Sequence, residues 1–200
     1  FGVIDAAVTH GSGDTANSTR LTNSGHTASR LGFRGVEDLG GGLKAGFHLE
    51  MGLNNDDGSG VATNTNNQTT GGTTGGGLTF NRRSTVSLMG NFGEVRLGRD
   101  YTPQYLNQIA FDPFGAIGVG ALANIQAAPA YTTSQRASNS VAYHAPKMAG
   151  FYGTAMYHMG ENLKDGAATE KSGNGMGFRV GYAAGPIDAA VAYTETKISN

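Results

Sequence analysis

Short runs of strictly alternating apolar and polar residues recur along this chain, separated by gaps rich in Gly, Asn and Asp. In the run from Gly42 to Glu50, Leu43, Ala45, Phe47 and Leu49 share one face, and Lys44, Gly46, His48 and Glu50 share the other. Successive side chains of a strand point to opposite sides, so the segment is apolar on one side and charged on the other. The pattern predicts nine strands: Phe1 to His10, Ala28 to Glu37, Gly42 to Met51, Phe80 to Met89, Glu94 to Asp100, Ser138 to Ala145, Phe151 to Met159, Gly175 to Ala183 and Ile187 to Glu195. Most are close to the ~9–11 residues that a tilted strand needs to cross a bilayer. Such a series, with few helix signals, predicts an all-β, antiparallel transmembrane barrel whose outside meets lipid and whose inside meets water.

The connections alternate in length. Asp38 to Gly41, Gly90 to Gly93, Pro146 to Gly150 and Ala184 to Pro186 are tight; Gly11 to Thr27, Gly52 to Thr79, Tyr101 to Ala137 and Gly160 to Asn174 are long. A soluble sandwich has no reason to alternate this way, whereas an outer-membrane barrel pairs tight periplasmic turns with long external loops. The link from Gly52 to Thr79 is low-complexity and reads as a mobile loop. The link from Tyr101 to Ala137 carries Phe111, Phe114, Ile117, Val119, Leu122 and Ile125 around Asp112-Pro113-Phe114-Gly115. A loop of that length and apolarity must pack somewhere, and it is expected to fold inward as a constriction.

Composition narrows the function. Charged residues are 14% and the formal net charge is -1, which gives no reason to expect nucleic acid or an anionic membrane surface as a partner. There is no cysteine, and no apolar run reaches the ~18 residues of a transmembrane helix. The chain opens inside a strand without an initiator Met, which suggests a processed or truncated chain. Gly71-Gly72 and Gly75-Gly76-Gly77 lack the Lys and Ser/Thr of a phosphate loop, and no Gly-x-Ser-x-Gly or His-Glu-x-x-His motif is present. Neither His48 nor His158 has metal-ligand spacing, so both read as lumen lining. No catalytic residue, cofactor or metal site is expected.

Alternation also decides which charges face water, because charge in hydrocarbon is costly. It turns Arg30 and Arg34 inward, with Lys44, His48 and Glu50, then Glu94 and Arg96, Arg136 at a strand mouth, and Arg179. Counting from Val86 and Leu88 turns Arg83 inward and Arg82 outward.

Several segments resemble Gram-negative general porins. Ser29-Arg30-Leu31-Gly32-Phe33-Arg34-Gly35-Val36-Glu37-Asp38-Leu39-Gly40-Gly41-Gly42-Leu43-Lys44-Ala45 resembles their second hairpin. The stretch from Phe80-Asn81-Arg82-Arg83-Ser84 to Gly98-Arg99-Asp100 resembles the fourth and fifth strands, and Asn139-Ser140-Val141-Ala142-Tyr143 the strand after the constriction loop. The likeness is greatest to the anion-selective porins of beta-proteobacteria. It implies a bacterial outer-membrane homotrimer of water-filled barrels with ~16 strands each, of which about nine are present here. Residues 1–200 are therefore expected to be a single porin β-barrel domain, incomplete at both ends. It further implies contact with outer-membrane lipid and lipopolysaccharide, and passage of small anions and hydrophilic solutes. The family places an arginine cluster opposite the constriction loop; Arg30, Arg82 and Arg136 match it, and Glu50 matches an acidic residue nearby. The motif thus favours Arg82 where alternation favours Arg83, a conflict that a bulge or a strand face turned to a trimer interface would reconcile. Asp112 and Glu50 are expected to temper the positive field or to hold the loop and arginines in place, although Asp112 would equally serve as the start of an Asp-Pro turn. The competing class is a surface-exposed β-protein for adhesion or glycan binding, which predicts polar residues on both faces of some strands; here nearly every strand has one apolar face.

Overall fold

The computed structural model describes residues 1–13, 17–69, 77–118, 120–125 and 133–199. Val119, Gly71, Gly72, Gly75, Gly76 and the side chain of Ile125 lie outside the described residues. The described elements are β1 (Gly2–Val3), β2 (Ala6–Gly11), β3 (Ser18–Asn23), β4 (Arg30–Gly40), β5 (Leu43–Gly52), β6 (Arg83–Gly90), β7 (Gly93–Tyr101), α1 (Pro103–Phe111), α2 (Leu122–Ile125), β8 (Arg136–His144), β9 (Phe151–His158), β10 (Gly175–Ala184) and β11 (Ile187–Thr196).

Nine strands form one antiparallel sheet in the order β1-β4-β5-β6-β7-β8-β9-β10-β11, an up-and-down meander whose two edges are β1 and β11. Its tight turns fall at one end. Between β4 and β5, Gly41 and Gly42 both hold positive φ (61° and 82°), the backbone that a two-residue hairpin turn requires. The long links fall at the other end, as the sequence predicts.

Three local expectations change. The first expected strand breaks at Ile4 and Asp5: β1 pairs with β4, while β2 leaves the sheet and pairs with β3. The cause is the Asp5 carboxylate, which accepts the backbone N–H groups of Gly25, His26 and Thr27 at 3.2, 2.9 and 2.6 Å and draws the chain out of the ladder. The link from Gly11 to Thr27 consequently contains β3 rather than loop alone. The Asn-rich link after β5 is tied down as well: the buried Asn67 amide donates to the carbonyls of Ser138 (2.9 Å) and Met159 (3.1 Å) and accepts the Ser138 N–H (2.8 Å).

The two faces of the sheet differ as alternation demands. Phe47 lies opposite Gly35 and Val86, Val86 opposite Leu97, Leu97 opposite Val141, and Val141 opposite Tyr157. These side chains stay open: Phe33, Phe47, Val86 and Val180 are 53, 46, 57 and 52% exposed. With about half of each still open to water, each forgoes roughly half of the ~1.5–3 kcal/mol of full burial, so this face calls for lipid or another protein surface. The opposite face carries a polar row, Arg34, His48, Thr85, Gly98, Ser140 and His158, each across from the next. The apolar centre is correspondingly small, Ala137, Ala142 and Met156. Among the described residues no helix is long and apolar enough to cross a membrane.

Candidate functional site

The chain leaving β7 turns back over the polar face. Thr102 caps α1, its hydroxyl accepting the Tyr105 N–H at 3.3 Å, and Pro103 starts the helix where its missing N–H costs nothing. α1 lies against β10 and β11. Arg179 Nε donates to Asn107 Oδ1 (3.1 Å), and the Gln104 N–H donates to Thr194 Oγ1 (3.3 Å). Beyond α1, the Asp112 carboxylate accepts N–H groups of Leu122 (2.9 Å), Phe114 (2.9 Å) and Ala116 (3.0 Å), which hold its carboxyl below the usual carboxylate range. Asp112 thus organises the loop that follows; it does not line the cavity described next.

Between this loop and the wall lies a cavity of about 890 Å³, lined by Arg30, Glu50, Arg82, Arg83, Tyr101, Tyr105, Arg136 and the loop segment Pro113 to Gly118 among others. Glu50, on β5, organises the arginines: its Oε1 accepts Arg82 Nε at 2.5 Å, and its Oε2 faces His48 Nε2 at 3.4 Å and Arg30 Nε at 4.0 Å. Arg30 also donates to the Ala28 carbonyl (2.9 Å). Arg136 donates from Nε to the Arg82 carbonyl (3.0 Å) and from Nη1 to Gln135 Oε1 (3.0 Å). Burial, with Tyr101 alongside, pushes the Tyr105 phenol up.

Both Arg82 and Arg83 reach the polar face. β6 begins at Arg83, so alternation governs Arg83 and stops before Arg82. Arg82 bonds Glu50 beside the cavity, while Arg83 Nη2 donates to Asp100 Oδ2 (2.9 Å). The conflict between alternation and motif therefore dissolves at a strand end, without a bulge in β6.

Arg83 belongs to a second cluster toward the tight turns. Asp100 also accepts Arg96 Nη1, and Arg96 forms a forked pair with Glu94 (2.9 Å to each oxygen). Arg83, Glu94 and Arg96 line a cavity of about 430 Å³ with Arg34, His48, Thr85 and Ser87, and Asp100 lies behind them. Asp100 escaped the sequence reading, although it shares parity with Glu94 and Arg96. Tyr101 and Asn107 escaped too, since their roles rest on contacts between distant segments.

The remaining inward candidates are scattered. Arg34 sits opposite His48 and over the Phe1 ring (5.1 Å to its centre). Lys44 is exposed near the tight turns, opposite Asp38 and Met89. Arg179 stacks on Tyr152 (4.8 Å) and holds α1 rather than facing the cavity. His158 is fully buried, its Nδ1 3.0 Å from the Gly173 carbonyl and its Nε2 3.3 Å from the Thr196 hydroxyl.

An antiparallel meander with an apolar exterior, and a loop folded across its charged interior, is the wall of a transmembrane β-barrel narrowed from within. The chain belongs to the Gram-negative porin family, which matches residues 1–200. That is a family of outer-membrane channel proteins rather than enzymes. Outer membrane porin protein 32 of Delftia acidovorans is 38% identical over 203 residues, covering 98% of this chain and 53% of that protein. The major outer membrane protein P.IB of Neisseria meningitidis is 30% identical, covering 83% and 49%. The solved anion-selective porin from Comamonas acidovorans matches with a TM-score of 0.78 and 36% identity, over 98% of this chain and 56% of that one. Salmonella typhi OmpF matches at a TM-score of 0.60 and 16% identity, a likeness of fold alone. The chain spans about half the length of the curated relatives it matches.

Proposed function

We propose that the whole protein is an outer-membrane general porin, a water-filled channel for passive diffusion of ions and small hydrophilic solutes, with a preference for anions. It works as a homotrimer set in outer-membrane lipid and lipopolysaccharide. One observation supports the anion preference above others: Arg30, Arg82 and Arg136 line one cavity beneath the inward loop, and Glu50 is the carboxylate among its lining residues. Guanidinium groups stay protonated at any working pH. Set close together in a narrow aqueous neck, they raise the local concentration of anions and repel cations. Glu50 fixes their orientation while cancelling part of their charge, and Asp112 acts by holding the loop in shape. The solved anion-selective relative is consistent with this reading.

Reversal potentials across a salt gradient test it, using the whole porin in planar bilayers with Arg30→Ala, Arg82→Ala and Arg136→Ala. Each substitution is expected to move the reversal potential toward the cation-selective limit. An unchanged value in all three removes the cluster from the mechanism.

A further inference from the structure

We infer that Tyr101 is a positioning residue that sets the selectivity of the constriction by holding two of its arginines on one phenol oxygen; this rests on the porin reading above. Arg82 Nη2 donates to the Tyr101 hydroxyl at 3.2 Å, and Arg136 Nη2 donates to the same oxygen at 3.1 Å. A phenol oxygen has room for two such donors, one per lone pair. The Arg136 guanidinium also lies over the Tyr101 ring, its carbon 4.6 Å from the ring centre, in the geometry of a cation–π contact.

These contacts solve a problem that the cluster creates for itself. Two like charges brought to one neck repel, and long side chains relieve that repulsion by swinging apart. A carboxylate between them would hold them together but erase the charge that the channel needs. A neutral acceptor holds them and leaves their charge in place. Glu50 already tethers Arg82 from the other side, and Tyr101, together with the Arg82 carbonyl, adds Arg136 to the set. The placement is built into the wall: Tyr101 is the last residue of β7 and sits directly opposite Arg136, the first of β8.

The test uses the whole porin in planar bilayers under a salt gradient, with Tyr101→Phe, Arg136→Gln, their double variant and Arg136→Lys. Tyr101→Phe keeps the ring beneath Arg136 and removes only the shared acceptor. It is expected to lower the anion-to-cation permeability ratio about two-fold, through displacement of a charge whose interaction falls off with distance. The effect of Arg136→Gln is expected to shrink in the Tyr101→Phe background, because coupled residues are not additive. Arg136→Lys keeps the charge but cannot fork between the phenol and the Arg82 carbonyl, so it too must lower the ratio. Heat-modifiable migration on gels shows that each barrel is intact. A Tyr101→Phe or Arg136→Lys channel with the wild-type ratio, beside an Arg136→Gln channel that lowers it, overturns the inference and leaves the porin reading standing. A wild type without anion preference overturns both.

Discussion

Removing a negative charge from this channel should make it more anion-selective, and Asp100 is the place to do it. Its carboxylate is 5% exposed and is shared by Arg83 and Arg96, whose side chains are 23 and 15% exposed. With Glu94 on Arg96, two cations and two anions cancel in that cluster. Asp100→Asn preserves the shape and one acceptor oxygen but leaves a net charge of one on the lumen wall. An ion passing ~8 Å from that charge in water feels ~0.5 kcal/mol before screening. Anions gain it and cations lose it, so the permeability ratio would change ~5-fold unscreened. With a Debye length of ~10 Å at 0.1 M salt the change falls to about two-fold, and with ~3 Å at 1 M it nearly vanishes. The assay is the reversal potential of reconstituted Asp100→Asn channels at both salt levels, beside wild type. Hydrogen bonds to charged groups contribute ~1.5–3 kcal/mol each, so some loss of thermal stability accompanies the change. A ratio that is unchanged at low salt, that moves toward cations, or that shifts equally at 1 M refutes the reasoning.

The face assignment predicts a sharp contrast between neighbours on β6: Val86→Arg, on the outer face, should destabilise the barrel by ~2–4 kcal/mol if the site lies near the bilayer midplane, whereas Ser87→Arg, on the lumen side, should fold normally. Urea unfolding from lipid vesicles measures both. The Asp112 carboxyl titrates lower in the folded loop than in the unfolded chain. Its anchoring is therefore fully present above pH ~3.8 and fails as pH drops through its depressed value. Open-channel current noise should rise below that pH, and Asp112→Asn should show raised noise already at neutral pH, read by single-channel recording.

Alternation made most of the wall readable because lipid punishes errors of facing one residue at a time. It failed where that pressure lapses. β3, Ser-Thr-Arg-Leu-Thr-Asn, pairs only with β2, away from the main sheet, so its polar residues read as loop. The helix α1 carried a visible start in Thr102-Pro103, yet it lies in a segment whose packing partners, β10 and β11, are about 70 to 90 residues away. The Asn-rich link reads as mobile because composition cannot show that one asparagine side chain, on Asn67, will take up a backbone carbonyl and N–H of β8. At the site, Arg30, Glu50 and Arg96 followed from parity, and Arg82 did not, since it stands one residue outside its strand. Asp100 had the right parity but no local mark of its two partners.

One irregularity in the ladder between β7 and β8 lies beside the two charge clusters. A regular strand would send Asp100 and Tyr101 to opposite faces, yet both side chains meet arginines of the channel interior. The ladder between β7 and β8 shifts register between Gly98 and Asp100, and Gly98 holds a φ of 121°. A Cβ at Gly98 would run into the Ser84 carbonyl oxygen, so this backbone belongs to glycine. The extra residue lies on β8, where Ser138 and Asn139 stand across from Arg99 alone and Asn139 holds a φ of 53°. Arg99 itself bonds the Asn81 carbonyl (2.6 Å), the Asn64 carbonyl (3.1 Å) and Ser138 Oγ (2.8 Å). Arg136 bonds the next carbonyl along, that of Arg82. The peptide that presents Arg82 is thus gripped on consecutive carbonyls by arginines of two strands, while its own N–H donates to the Glu50 carbonyl (3.1 Å), so three neighbouring strands place it together.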